Sequence, residues 1–330
     1  MTVNAKVEPT NQTFSIRSVV DFFRHKSTLI AFLLVCLFFG VINPAFSTGT
    51  NLLNIVDQSA VLAVVAMAMT IVIIAGGIDL SVAVSLDLGA MSAVSLLKAG
   101  IFWPFSIVAG LLTGALVGLF NAFNVVRFGI SPFLATLGML FIGESIQRIY
   151  TQGGEPIYMA RMTPAYRFIG KGDVGGIPFE VILAVLVVLT FFLLIERTIH
   201  GMRWRAIGAQ YEAAQINGIR VERYTALAYV ISAITCAFAG IMLSSSLSSY
   251  VPVSGIAYLL DAIGAVFIGA SIDKESRPNI LGTLLGVLFF GVINNGLNLL
   301  GVHFYWHTVA RGLLIFIALI LTTLNQRKSE

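Results

Sequence analysis

Polar side chains interrupt the long apolar stretches of this 330-residue sequence, and their types make them the candidates for chemistry. Those that hydropathy sets at membrane depth are Asp79, Asp87, Asn121, Thr136, Glu144, Asp261, Asn294 and Asn295. A carboxylate or amide that faces lipid is costly, so each is expected to turn toward the protein interior. There it either lines a hydrophilic path or forms hydrogen bonds that fasten neighbouring helices. We take all of them as candidates for a translocation path.

The acids are the stronger candidates, because asparagines on packed helices more often serve as interhelical hydrogen-bond partners. Asp79 belongs to residues 76–81, GGIDLS, which interrupt an apolar run at membrane depth, where a broken helix must be shielded by protein or line a cavity. Neither Asp87 nor Asp261 has a basic residue within a helical turn or two in the sequence. We predict that Asp79 and Asp87 line or gate the path. Asp87→Ala should then lower transport while the protein stays in the membrane.

The motifs of catalysis are absent from the sequence. It has no Gly-x-x-x-x-Gly-Lys-Ser/Thr phosphate loop, no His-Glu-x-x-His zinc motif and no nucleophile elbow. Cys36 and Cys236 both lie inside apolar stretches, which is typical of buried thiols rather than of a disulfide or metal site. No nucleic-acid-binding motif is present. The sequence therefore predicts no catalytic residue, no metal site and no cofactor held by this chain.

The composition predicts an all-α membrane protein, because 57% hydrophobic and 11% charged residues leave too little polar surface for a soluble domain. We expect about ten transmembrane helices, some of them interrupted, in one domain over residues 27–325. The expected spans are Ser27–Ile42, Leu52–Ala75, Leu80–Leu97, Phe102–Val126, Pro132–Tyr150, Ile177–Ile195, Tyr224–Leu243, Ala257–Ile272, Ile280–Leu300 and Phe304–Leu324.

The basic residues predict the orientation. Six expected spans separate the N-terminal tail, residues 1–26, from an arginine-rich loop at residues 198–223. Four more separate that loop from the C-terminal tail, residues 326–330. Because both numbers are even, all three basic regions lie on one side of the membrane, which the positive-inside rule identifies as the cytoplasm.

The same count puts residues 151–176 outside the membrane. This loop is rich in glycine and proline and carries Arg161 and Arg167. One interpretation is a contact with an acidic face of a partner protein, because exposed charges steer protein association. The other is a solvated connection that contacts nothing.

The arginine-rich loop contains a second candidate site. Residues 209–217 are rich in good helix formers and are followed by Gly218, which can adopt the left-handed conformation that closes a helix. A helix of about nine residues is marginal by itself in water, so it needs a surface to pack on. The segment is either a docking helix for a partner or a loop that merely satisfies the charge bias.

Three segments together resemble one family of transport proteins. They are residues 76–82 (GGIDLSV), residues 131–138 (SPFLATLG) and residues 208–219, and the likeness extends to residues 295–302, NGLNLLGV. In these segments the chain is similar to the permease subunits of bacterial ABC importers for ribose, xylose, arabinose and galactose.

The resemblance implies a permease fold of the vitamin-B12-importer type in the bacterial inner membrane, with both termini cytoplasmic. Its implied partners are a periplasmic sugar-binding protein, a cytoplasmic ABC ATPase that binds ATP and Mg²⁺, and a second permease copy, identical or different, besides membrane lipid. The residues that match the family's ATPase-coupling helix are Gly208, Glu212, Ala213, Ala214 and Gly218.

One alternative belongs to another class. Asp79, Asp87, Asp261 and the broken helix would also suit an ion-coupled secondary transporter, which needs no docking helix. Uptake that persists without ATP while a proton gradient is held would favour that alternative. The sequence does not indicate which sugar or other solute is carried.

Overall fold

The computed structural model describes residues 27–273, 277–303, 305–313 and 315–316, so both predicted cytoplasmic tails lie outside the described residues. Helices dominate it. They are α1 (Ser27–Ile42), α2 (Gly49–Ile74), α3 (Val82–Lys98), α4 (Trp103–Arg127), α5 (Pro132–Tyr150), α6 (Pro164–Lys171), α7 (Phe179–Glu196), α8 (Ile199–Ala209), α9 (Tyr211–Ile216), α10 (Val221–Leu247), α11 (Gly255–Ala270) and α12 (Ile280–Leu299). Residues 305–313 form a further helix, here called the terminal helix.

Within the described residues, five helices are long and apolar enough to cross a membrane: α2, α4, α7, α10 and α12. Helices α1 and α11 are apolar but shorter. The chain is therefore a multi-pass, all-α membrane protein. The total of about ten spans stays a prediction, since part of the last expected span lies outside the described residues.

Helix α2 is the centre of the bundle. Every residue from Ser59 to Val72 is buried, because α2 packs against α7, α10, α11 and α12. A helix that is apolar on most sides is typical of a protein core or a membrane span. The other main layer is formed by α3 and α4, which pack against each other and against α10.

The glycines of α4 allow this close packing. A Cβ atom at Gly114 would lie 2.7 Å from the Ala233 carbonyl oxygen, and one at Gly118 would lie 2.7 Å from the Val230 Cα atom of α10. Small residues at every fourth position thus let two backbones approach directly, as the spacing of Gly110, Gly114 and Gly118 predicts.

Gly114→Ala is expected to lower the thermal unfolding temperature of the purified protein, because the added methyl group has no space against α10. Gly138→Ala is the matched control, since a Cβ atom there would meet no described heavy atom within 4 Å. The control should be neutral or slightly stabilising, as alanine is favoured over glycine in helices by about 1 kcal/mol. Equal melting temperatures for the two variants would contradict the packing assignment.

The loop at residues 151–176 is more ordered than its turn-rich composition predicts. It contains the strand β1 (Ile157–Tyr158), helix α6 and the strand β2 (Asp173–Val174). Strand β2 pairs with β3 (Ile177–Pro178) through a turn at Gly175 and Gly176, whose φ angles are 66° and 87°. Two adjacent residues with positive φ favour glycine and form a tight hairpin turn.

Helix α6 is anchored to the end of α10. The Tyr166 hydroxyl lies 2.7 Å from Ser244 Oγ, and burial raises the pKa of Tyr166 well above its usual value. Ser245 Oγ accepts from the Gly170 amide at 2.8 Å and donates to the Tyr166 carbonyl at 2.6 Å. Arg161 and Arg167 remain exposed. The loop is thus a rigid platform that presents two cations.

Candidate functional site

Asp79 lies at the break between α2 and α3 and is fully buried. Its Oδ1 accepts hydrogen bonds from the Ser81 amide at 2.9 Å and the Ser81 hydroxyl at 2.6 Å, and Oδ2 accepts from Ser232 Oγ at 3.4 Å. Asn121 Nδ2 donates to Ser81 Oγ at 2.6 Å. Asp79 and Asn121 therefore belong to one hydrogen-bonded cluster that joins the break to α4 and α10.

Thr136 holds the same break from α5. Its Oγ1 accepts from the Leu80 amide at 3.1 Å, and it lies 3.2 Å from the Ile78 carbonyl oxygen, to which it can donate. The Thr136 hydroxyl thus provides a partner for the Leu80 amide, a backbone group that the break leaves without a helical partner.

The break also touches the arginine-rich loop. A Cβ atom at Gly76 would lie 3.2 Å from the Gly208 Cα atom, and one at Gly208 would collide with the Ile74 carbonyl oxygen. Gly208, expected to belong to the coupling site, therefore packs against the end of α2. The loop and the broken helix are in direct mechanical contact.

Asp87 caps the beginning of α11. The carboxylate is buried on α3, and Oδ1 accepts from the Ser254 hydroxyl at 2.8 Å and the Gly255 amide at 2.9 Å. Amides at a helix N-terminus lack partners within the helix, and a carboxylate is favoured there. The predicted role of Asp87 in the path stays a prediction, while its contacts favour a structural role.

Gln147 of α5 is a buried polar residue that the sequence reasoning missed. Its Oε1 accepts from the Tyr250 hydroxyl at 2.9 Å and from the Val253 amide at 2.7 Å. Tyr250 belongs to the strand β4 (Ser249–Tyr250), which pairs antiparallel with β1 of the external loop. Val253 has a φ of 61°, a strained conformation for a β-branched residue. The segment before α11 is thus held in place by several long-range contacts.

The two neighbouring asparagines of α12 have different surroundings. Asn295 is buried and forms a reciprocal pair of amide hydrogen bonds with Asn51 of α2, at 2.9 and 3.0 Å. Asn294 accepts a hydrogen bond from Arg311 Nε at 3.1 Å. Asn295 therefore fastens two helices, whereas Asn294 faces a cavity.

This polar cavity has a volume of about 290 Å³ and lies between α2, α11, α12 and the terminal helix. Its polar lining consists of Gln58, Ser59, Tyr258, Asp261, Asn294, Asn298, His307 and Arg311. Arg311 forms an ion pair with Asp261, with 3.2 Å between the nitrogen and oxygen atoms. Of the eight sequence candidates for the path, the structure brings Asp261 and Asn294 into this cavity. Glu144 is half-buried on α5 and is not part of its lining.

Helix α9 carries the remaining candidates. The short helix expected over residues 209–217 is present as α9, and Gly218 follows with a φ of 78°. Helix α8, which precedes it in the loop, was not expected. Ala214 is 4% exposed and packs inside the chain, in a cluster with Trp204 and Tyr224. Glu212 is exposed and Ala213 is half-buried.

Ile216 is the docking candidate that the sequence reasoning missed. This side chain at the end of α9 is 86% exposed. An exposed apolar side chain of this size offers apolar surface that a partner could bury. The outward surface of α9 thus includes Glu212 and Ile216, while Ala214 packs on the opposite side of the helix against the rest of the chain.

Comparisons with known proteins agree with these features. Residues 51–319 match the family described as branched-chain amino acid transport system / permease component. The chain is 37% identical to a ribose import permease protein of Bacillus subtilis over 281 residues, which cover 85% of this chain and 87% of the relative. It is 34% identical to the ribose import permease protein of Haemophilus influenzae, covering 91% and 93%. It is 31% identical to a galactofuranose transporter permease protein of Escherichia coli, covering 89% and 88%. No solved structure matches the chain.

Proposed function

Because this chain belongs to the family of branched-chain amino acid transport system permease components and is the transmembrane permease subunit of an ABC sugar importer, we propose that it is driven through α9 by a separate ATPase. The observation that carries the proposal is the exposed Ile216 on a six-residue helix in the arginine-rich loop. Such a helix is too short to be stable alone, and its outward apolar side chain suits a groove on a partner.

We further propose the vitamin-B12-importer type of fold, with ten spans formed by α1 to α5, α7, α10 to α12 and the terminal helix. The contact between Gly76 and Gly208 supports this arrangement, because it joins the end of α2 to the arginine-rich loop on one side. With the positive-inside rule, that side is the cytoplasm of a bacterial inner membrane, and both termini lie there. The domain boundaries proposed from the sequence, residues 27–325 between two short tails, are kept.

The proposed assembly contains a second permease copy, identical or different, and a periplasmic binding protein. ATP and Mg²⁺ would be bound by the ATPase, and this chain would supply the pore without a cofactor of its own. Conformational change would reach the pore through Gly208, which packs against the break that contains Asp79 and that Thr136 contacts from α5.

The proposed cargo is a sugar or a similar small polar solute. The relatives are named for ribose, galactofuranose and galactose, and the polar cavity offers an environment for hydroxyl groups. The branched-chain amino acids in the family description have apolar side chains, which suit this lining less well.

ATP hydrolysis by the assembled complex tests the proposal. We expect sugar-loaded binding protein to stimulate hydrolysis, and the double variant Arg161→Glu/Arg167→Glu to reduce this stimulation, because both side chains are exposed on the rigid external loop. The loss should be larger at low salt, where exposed charges are least screened.

Lys98→Glu is a charge-reversal control outside that loop, equal in charge change to each single arginine variant, and it should respond as the unaltered complex does. A full response of the double variant at low salt would leave the external loop without a role in docking. No stimulation of the unaltered complex by any sugar-loaded binding protein would contradict the proposed function itself.

A further inference from the structure

We propose that the polar cavity is a binding subsite for an uncharged monosaccharide, and that the Asp261–Arg311 ion pair excludes charged solutes from it. The inference rests on the proposed function, since it gives the importer a site of its own besides its binding protein. It concerns the cavity between α2, α11, α12 and the terminal helix.

The ion pair bridges two of these helices. Asp261 on α11 and Arg311 on the terminal helix lie 3.2 Å apart, and Arg311 also donates to Asn294 Oδ1 on α12 at 3.1 Å. Both charged side chains are largely buried, with 10% and 24% exposed. Three elements are thus held around one charged but internally neutral centre.

The side chains that line the cavity provide both hydrogen-bond donors and acceptors, which suits the hydroxyl groups of a sugar. A carboxylate only accepts hydrogen bonds and a guanidinium only donates them, while the amides of Gln58, Asn294 and Asn298 do both. A sugar hydroxyl also does both, so a ring bearing several of them finds partners in each direction. The Tyr258 side chain adds an apolar ring with a polar tip.

Charge balance supplies the selectivity. The Asp261 carboxylate and the Arg311 guanidinium already compensate each other, so an uncharged solute enters without leaving an unpaired ion. A phosphorylated or aminated sugar would bring one uncompensated charge into a partly desolvated site, which is costly. The volume of about 290 Å³ is at the lower end of small-ligand pockets, which favours a monosaccharide over larger saccharides.

Thiol protection measures occupancy of the cavity directly. Ala257→Cys introduces a thiol at an exposed position of the cavity lining without removing a polar side chain. The complex of permease and ATPase is then labelled with a small uncharged thiol reagent in the absence of the binding protein. We expect D-ribose or D-galactose to slow labelling about tenfold when the sugar is present at ten times the dissociation constant of its complex with the cavity, because the bound sugar blocks the thiol from the reagent. Ribose 5-phosphate, glucosamine and leucine should not protect.

Two controls set the background. Tyr158→Cys lies on the exposed external strand, and no sugar should protect it. The parent chain reports any labelling of Cys36 and Cys236, which are half-buried and buried.

Charge variants then test the ion pair in the Ala257→Cys background. Asp261→Asn leaves Arg311 unbalanced and should shift protection from the neutral sugars to ribose 5-phosphate. Arg311→Gln should shift it to glucosamine, and the double variant should recover protection by neutral sugars. Where a single variant does not reach the membrane, Asn294→Leu serves instead, and it should weaken protection by neutral sugars without creating a preference for charged ones.

Equal protection of the introduced thiol by neutral and charged sugars when the ion pair is intact, or no protection by any sugar, would overturn the inference. Protection by leucine alone would also do so. If ATP-driven uptake of a neutral sugar is normal in the same preparation, these results contradict the binding subsite and leave the proposed import function standing. If no sugar is taken up at all, the proposed function fails as well.

Discussion

Ile216→Asp is expected to abolish ATP-driven uptake and to release the ATPase during purification, while the permease remains folded in the membrane. The side chain is 86% exposed and packs little against its own chain, so its replacement costs the isolated subunit almost nothing. In a docked complex the same position would bury a carboxylate in an apolar groove, where an unpaired charge is strongly unfavourable. Uptake in cells and copurification of the ATPase with a tagged permease measure both effects.

Met202→Asp is the matched control for this prediction. Met202 is 62% exposed in the same loop but lies on α8 rather than α9, so the ATPase should still copurify. Normal uptake by Ile216→Asp would return the loop to the simpler interpretation, a basic segment that only sets the orientation of the chain.

Asp87→Ala is expected to cause a large loss of folded protein. It removes the acceptor of the Ser254 hydroxyl and of the Gly255 amide at the start of α11. Each buried group left without a partner costs about 1–3 kcal/mol. The total stability of a typical domain is only about 5–15 kcal/mol. The amount of protein in the membrane and its thermal unfolding in detergent measure the effect.

Asp87→Asn should retain part of the stability, because one amide oxygen can still accept from Gly255. Glu144→Ala removes a half-buried acid of the neighbouring helix α5 and should leave the protein level unchanged. If Asp87→Ala protein accumulates normally and only transport is lost, Asp87 lines or gates the path as its sequence context suggests.

Local patterns were sufficient to predict several features of the fold. The glycines at residues 76–77 interrupt the helix between α2 and α3, and the spacing of Gly114 and Gly118 produces the close contact of α4 with α10. Gly218 takes the left-handed conformation expected of a residue that ends a helix. Each of these depends on the conformational and steric properties of glycine itself, which are present in the sequence.

The sequence alone could not predict which polar residues face the cavity and which form hydrogen bonds between helices. Asp261 pairs with Arg311, which lies 50 residues further along the chain. Asn294 and Asn295 are adjacent, yet one faces the cavity and the other pairs with Asn51. Which side a polar group faces depends on the neighbours that tertiary packing brings to it.

The coupling helix illustrates the same limit. The small side chains of Ala213 and Ala214 suggest a docking face, but Ala214 packs inside the chain and Ile216 points outward. A helix of six residues has too few turns for its apolar periodicity to identify the buried side. The Trp204 and Tyr224 rings of the same buried cluster come from the two flanking helices.

Uptake into proteoliposomes tests the central claim most directly. Vesicles would contain this chain with its ATPase, and a labelled monosaccharide would be supplied on the binding-protein side. The account predicts accumulation that requires ATP, Mg²⁺ and the sugar-loaded binding protein, and that continues after the proton gradient is collapsed. Accumulation that proceeds without ATP while a proton gradient is maintained, and stops when the gradient is removed, would contradict it.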